Sequence, residues 1–320
     1  MHNNQTAIPR MEVKDLKKHY PIRGGRLLKA LDGVSLKINT GDIFGIVGES
    51  GCGKSTLGKC MMRVVDITSG EVRFSGEDIS RQNRKSILPT LKRMQMIFQN
   101  PYSSFNPKLK ISYSLSEPCR LRGMSRLEIN ERIGEFMQHV SLTENELNRF
   151  PHELSGGQLQ RLAIARALLL DPEFIVADEP VSALDVSVQA QILNLLVDLK
   201  KSFDLTVMFI SHDMTVVEHV CSKVAVMYLG VIVEMGAAET VFANISHPYT
   251  QALISAIPTI DVTGEAKKRI VLGGDLPSAV NIPAGCRFAS RCRECIDICM
   301  QESPQLKEIE PEHFVACHRR

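Results

Sequence analysis

The 320-residue sequence carries almost no charge imbalance: 38 Lys and Arg against 36 Asp and Glu leave +2. It therefore lacks the basic excess that marks a nucleic-acid-binding chain. No apolar run approaches the roughly 18 residues of a membrane-spanning helix. The opening stretch, MHNNQTAIPRMEVKDL, lacks the apolar centre of a secretory leader. Internal repeats, low-complexity runs and sustained heptads are missing too, so neither a solenoid nor a long coiled coil is expected. Together these absences predict a cytoplasmic chain with no nucleic-acid partner, whose membrane role comes through other subunits. A reducing compartment disfavours structural disulfides, so clustered cysteines there point to a metal.

What is present is an ordinary globular mix, 44% hydrophobic and 23% charged, long enough for one large or two ordinary domains. Its most informative stretch is GDIFGIVGESGCGKSTLGKCMM, residues 41–62. Asp42 to Val47 predicts a short buried strand and Ser55 to Met62 the start of a helix. Between them Gly48, Glu49, Ser50, Gly51, Cys52, Gly53, Lys54 and Ser55 fit G-x-x-x-x-G-K-[ST], with Thr56 next. The glycines let successive N–H groups turn inward, and those groups with the helix N-terminus cradle phosphate oxygens. Lys54 adds charge at the β- and γ-phosphates, and the Ser55 hydroxyl suits Mg²⁺. The alternative, a glycine-rich turn with a surface lysine, does not explain strand, loop and helix in this order. Cys52 is expected to be a small filler, open to alkylation, rather than a catalytic thiol.

A second element, FIVADEP, predicts a buried parallel strand from Phe174 ending in Asp178 and Glu179. Asp178 is expected to support Mg²⁺ and Glu179 to polarise the attacking water; two solvated carboxylates are the plainer reading. Between these elements lies ELSGGQLQRLAIARALLLDP, an amphipathic helix to about Leu170 with Ser155 as its N-cap.

That stretch resembles the signature motif of the ABC ATPases. The resemblance implies an α/β fold: a P-loop ATPase with a RecA-like core, a helical subdomain and a small C-terminal metal-bearing extension. It also implies that Leu154, Ser155, Gly156, Gly157 and Gln158 serve the ATP of a second subunit. Other marks follow in order. Gln99 in IFQNP resembles the glutamine that senses Mg²⁺ and water; Ser182, Ala183, Leu184 and Asp185 resemble the loop crossing the dimer interface. His212 in MFISHD, after a strand from Thr206 to Ile210, resembles the switch histidine at the γ-phosphate. Tyr20 in KKHYPI is placed like the aromatic that stacks on adenine. Each also has a plain reading as a loop or surface residue. The resemblance puts the ATPase domain at 10–245, with a helical subdomain at about 102–165 that includes the helical spacing of SRLEINERIGEFMQHV. Turns such as Ser69-Gly70 punctuate the first 95 residues.

The stretches YPIRGGRLLKALDGVSL, NPYSSFNPK and SHPYTQALISAIP narrow the resemblance to oligopeptide/dipeptide importer ATPases. It implies ATP hydrolysis on the cytoplasmic face of the membrane, with a paralogous ATPase, two transmembrane permeases and an extracytoplasmic solute-binding protein as partners. Tyr102 to Pro107 is where a permease helix would dock; a loop with two proline turns is the alternative. Nickel or another small solute is an alternative cargo, and a non-transport ABC protein an alternative function. The extension at 246–320 carries five cysteines. Cys286, Cys292, Cys299 and Cys317, spaced C-x5-C-x6-C-x17-C, match the family's tail cysteines, and the resemblance implies a [4Fe–4S] cluster. Zn²⁺ is the competing metal, although Cys292-x2-Cys295 and Cys295-x3-Cys299 share one residue instead of forming separate knuckles. Unliganded thiols are the third reading. Cys295 is a spare thiol or a substitute ligand. Arg287, Arg291 and Arg293 either offset thiolate charge or solvate the loop. A short proline-rich tail has little core of its own, which makes a metal its expected organiser.

Overall fold

The computed structural model describes residues 8–257, 270–273 and 277–320. The first seven residues, Pro258 of the SHPYTQALISAIP motif and positions 274–276 of the proline-rich motif lie outside the described residues. Two compact units emerge. One comprises the described parts of Met1–Ile38, Asp42–Ser80 and Ser211–Arg320; the other comprises Asn39–Gly41 and Arg81–Ile210.

The first unit holds an antiparallel sheet in the order Leu27–Ile38, Met11–Pro21, Ser69–Phe74, Glu77–Asp78. Ser69-Gly70, expected to be a turn, instead opens a strand. Gly70 has φ of 97°, and a Cβ there would lie 2.5 Å from the Asp15 carbonyl oxygen. Glycine is required by the close approach of Met11–Pro21, not by a chain reversal. The unit's second sheet runs Lys307–Glu310, His313–Val315, Val231–Ala237, Lys223–Tyr228, Ile43–Val47. Its last pair is parallel, with Gly45 opposite Val224, and the others are antiparallel. Ile43–Val47 is buried at every position, as a strand covered on both faces must be.

The extension is built into this unit. Val315 pairs with Glu234 across the sheet. Phe288 packs on Tyr228 and Tyr249 with centroids 5.3 and 5.4 Å away, and the two tyrosines are 4.7 Å apart. All three rings are at most 2% exposed. Beneath them Glu234, fully buried, accepts hydrogen bonds from the N–H groups of Ser246 (2.8 Å) and His247 (3.0 Å) and pairs with His313 Nε2 at 2.9 Å. The tail thus shares the core of the ATPase fold instead of having little core to draw on.

The second unit holds three parallel strands, Thr206–Ile210, Phe174–Asp178 and Met94–Ile97, with Phe174 opposite both Thr206 and Met94. Around them are the helices Arg84–Lys92, Ile111–Leu121, Arg126–His139, Gly156–Leu168 and Val186–Ser202. The predicted helix of SRLEINERIGEFMQHV is Arg126–His139. Ser125 and Glu128 close a capping box at its start, and Ile129, Ile133, Phe136 and Met137 form its buried stripe.

Candidate functional site

In the first unit, the strand Ile43–Val47 leads through the phosphate loop into the helix Lys54–Met61. Two glycines are dictated by contact. A Cβ on Gly48 would lie 2.2 Å from the Met227 carbonyl oxygen, and one on Gly53 2.4 Å from that of Ala30. Gly51, at φ of 81°, faces open space. Lys54 is 5% exposed. Its Nζ donates to the carbonyls of Gly48 at 2.7 Å and Glu49 at 3.1 Å. Among the described residues these neutral oxygens are its partners, so the ammonium charge is left for an anion to neutralise. The loop and its lysine therefore fit a phosphate chain. Cys52 is fully buried, and burial pushes its thiol pKa up, with Lys54 drawing it down by less. That corrects the expectation of an alkylation-sensitive thiol: the position is a filler. Tyr20 lies beside the same helix. Burial raises its hydroxyl pKa and the Cys60 charge adds to this, while a hydrogen bond with Thr56 lowers it; Lys18 Nζ is 4.7 Å from its ring centroid.

The second unit gathers most of the other predicted residues. Asp178, 6% exposed, ends the strand Phe174–Asp178. Glu179 follows in the left-handed region, φ 47°, with its N–H donating to Ile210 O at 3.0 Å. A non-glycine residue held this way commonly marks a functional position. Gln99 Nε2 donates to Glu179 Oε2 at 2.8 Å and to Ser182 Oγ at 3.4 Å. Ser182 Oγ donates onward to the Glu179 carbonyl at 3.1 Å. The predicted glutamine, carboxylate and dimer-loop serine thus form one cluster.

Ser155 caps the helix Gly156–Leu168, which stops two residues before the expected end. Its Oγ accepts the Gln158 N–H at 3.2 Å, and Gln158 Oε1 accepts the Ser155 N–H at 3.0 Å. Gly156 and Gly157 lie under the segment Ser182–Asp185 and the helix that follows it. Cβ atoms there would come 3.3 Å from Leu184 and 2.7 Å from Val188. The expected signature and dimer-loop segments therefore pack together, with Ser155 and Gly156 exposed at the helix start. Tyr102 is 46% exposed on a short 3-10 turn, Pro101–Ser104, whose start is capped by the Asn100 side chain. His212, in the first unit, is exposed between the Thr206–Ile210 strand and the helix Met214–Val220.

Some contacts at the phosphate loop had no signal in the sequence. Arg291 forms a two-pronged ion pair with Glu49, and Tyr249 Oη accepts the Glu49 N–H. Arg287 donates to Asp32 and to the Leu229 carbonyl. These arginines neither offset thiolates nor solvate a loop. Their partners lie 242 and 255 residues away in sequence, beyond the reach of any motif.

The tail thiols are grouped but do not converge. Burial raises the thiol pKa of Cys286 and that of Cys292, the latter to about 11, and each is raised further by the Cys317 charge. Cys299 also acts on Cys286 and Cys295. Yet among the described residues no three or more His, Cys, Asp or Glu side chains form a set able to hold a metal ion. As arranged, the four cysteines do not fit a four-thiolate cluster.

A phosphate loop with a buried anion-seeking lysine in the first unit, and a strand-end carboxylate pair and a glycine-rich helix start in the second, are the elements of a nucleotide-binding cassette. The ABC transporter profile matches residues 31–182, and the oligopeptide/dipeptide transporter C-terminal region profile matches residues 233–299. The chain is 47% identical to the oligopeptide transport ATP-binding protein AppF of Bacillus subtilis (strain 168), over 98% of each chain. It is 46% identical to the dipeptide transport ATP-binding protein DppF of Escherichia coli (strain K12), over 97% of this chain and 94% of that one. Among solved structures it is similar to the dimeric ATP-binding cassette MJ0796 bound to ADP and Pi, with TM-score 0.66 and 29% identity, over 71% of this chain and 98% of that one. It is likewise similar to cbiO1 of Clostridium perfringens, with TM-score 0.66 and 28% identity, over 74% of this chain and 92% of that one. The chain belongs to the ATP-binding subunits of the oligopeptide/dipeptide ABC transporter family.

Proposed function

We propose that this ATPase powers import of dipeptides or oligopeptides, working at the cytoplasmic face of the membrane with two permeases, a solute-binding protein and a paralogous ATPase. The observation that carries the cargo class is the C-terminal region at 233–299, which matches the oligopeptide/dipeptide transporter profile. Tyr102 to Pro107 is the proposed permease contact.

In the proposed mechanism the N–H groups of residues 48–56 and Lys54 bind the triphosphate, and Tyr20 stacks on the base. Ser55, Asp178 and Gln99 would hold Mg²⁺, which neutralises charge on the phosphates. Glu179 orients a water and accepts its proton as the oxygen bonds to the γ-phosphorus. The bond to the bridging oxygen breaks, and ADP leaves with that electron pair. His212 steadies the γ-phosphate. The Gln99 amide donates to one Glu179 oxygen, which orients the carboxylate and leaves acceptor sites on it for water. Ser155, Gly157 and Gln158 act on the nucleotide of the other subunit. The test is ATP turnover by the complex with its permeases and binding protein in liposomes. Stimulation by di- or oligopeptides supports the proposal, whereas stimulation by nickel alone assigns the cargo elsewhere.

The [4Fe–4S] centre on Cys286, Cys292, Cys299 and Cys317, with Zn²⁺ as the alternative, is a separate proposal. Its support is the resemblance carried by the spacing of these four cysteines. Anaerobic purification with metal analysis decides. About four irons per chain with broad visible absorption, lost in Cys286→Ser, are expected if the centre forms. A colourless, metal-free chain removes it.

A further inference from the structure

The C-terminal extension reaches into the phosphate loop through one residue, Glu49. Arg291 Nη1 donates to Glu49 Oε2 at 2.8 Å and Nη2 to Oε1 at 3.0 Å. The arginine side chain is 6% exposed, and its Nη1 also donates to Tyr228 Oη at 3.4 Å. From the helix Pro248–Ser255, Tyr249 Oη accepts the Glu49 N–H at 2.9 Å. The Glu49 carbonyl in turn accepts Lys54 Nζ at 3.1 Å. A continuous run of hydrogen bonds therefore joins the extension to the phosphate-binding lysine. The loop needs such a hold. Gly48, Gly51 and Gly53 sit at φ of 149°, 81° and 111°, and glycines leave a loop many alternatives to its binding conformation. A two-pronged guanidinium–carboxylate pair is among the most orientation-specific contacts available.

We infer that Arg291 and Tyr249 are positioning residues for the phosphate loop, so that the C-terminal extension sets the chain's affinity for the triphosphate. Neither residue needs to touch nucleotide. They act by holding Glu49, and through it Lys54, in the arrangement that accepts phosphate, which removes an ordering cost from binding. The inference rests on the ATPase assignment and goes beyond it, because it places the control of nucleotide affinity in the extension and not in the cassette.

Equilibrium titration of the full-length chain with Mg-ATP, together with ATP turnover by the assembled complex, tests this. Tyr249→Phe removes one hydroxyl and leaves the ring packing; Arg291→Lys keeps the charge and loses the fork; Arg291→Ala loses both. Affinity is expected to fall by about tenfold in Arg291→Ala, equivalent to about 1.4 kcal/mol of lost preorganisation, and by less in Tyr249→Phe and Arg291→Lys. KM should rise by a larger factor than kcat falls. The exchanged pair Glu49→Arg with Arg291→Glu should recover part of the affinity lost in Arg291→Glu. Folded Tyr249→Phe and Arg291→Lys chains that bind Mg-ATP as tightly as wild type would overturn the inference. So would lowered melting temperatures with unchanged affinity, the mark of a purely structural clasp. A wild-type chain that binds no Mg-ATP in the same titration would strike the ATPase assignment itself, and the inference with it.

Discussion

Glu179 combines three properties that few carboxylates share. It follows a fully buried strand, holds a left-handed backbone and is already hydrogen-bonded to Gln99. Glu179→Gln keeps the shape and removes the proton acceptor. Turnover by the assembled complex should fall at least about 10²-fold, while Mg-ATP binding persists because Lys54, Ser55 and Asp178 are untouched. Near wild-type hydrolysis in that variant would reassign the general base. Lys54 and Cys52 show how two neighbouring buried residues differ. The lysine's ammonium is held by the Gly48 and Glu49 carbonyls, and the thiol is fully buried.

Among the elements, the junction of Val231–Ala237, the helix Pro248–Ser255 and His313–Val315 carries a pH dependence through His247. Burial, with the nearby Arg320 charge, lowers the His247 pKa from 6.5 to about 3. Its Nδ1 accepts the Tyr249 N–H at 3.0 Å, which requires the neutral ring. The unfolded chain therefore binds a proton that the folded chain refuses. The contribution is intact above the unfolded value and is lost as pH falls from about 6.5 towards about 3, by at most about 1.4 kcal/mol per pH unit. Replacing His247 by Asn should flatten the acid limb of a plot of melting temperature against pH, and an unchanged limb would remove His247 from the account. The same region shows what could be read in advance. Phe174–Asp178 and Thr206–Ile210 were legible because strands buried on both faces are apolar throughout, and the signature helix because Ser155 and Gln158 form a local capping box. Gly70 misled because a glycine demanded by a neighbouring strand has the same sequence appearance as one demanded by a turn. The Arg291–Glu49 and His313–Glu234 pairs were invisible because only the folded sheet brings them together.

For the whole molecule, the proposed mechanism has each site completed by another ATPase chain, with Ser155 acting in trans. Substituting Ser155 in a complex with one copy of this chain should impair the nucleotide held on the partner's phosphate loop and spare the one held on Lys54. Site-specific photolabelling with an ATP analogue distinguishes them, and equal loss at both sites would reject the arrangement. The sheet order carries a further consequence, for handling and expression. His313–Val315 covers the strand Val231–Ala237, and the outermost strand, Lys307–Glu310, is charged and largely exposed. Cutting the chain at residue 245 would exchange that charged border for a bare apolar one, whose free N–H and C=O groups template strand addition between molecules. Such a fragment should scatter light and enter inclusion bodies where the intact chain stays dispersed; a fragment that stays dispersed would show that the covering strands are not needed for solubility.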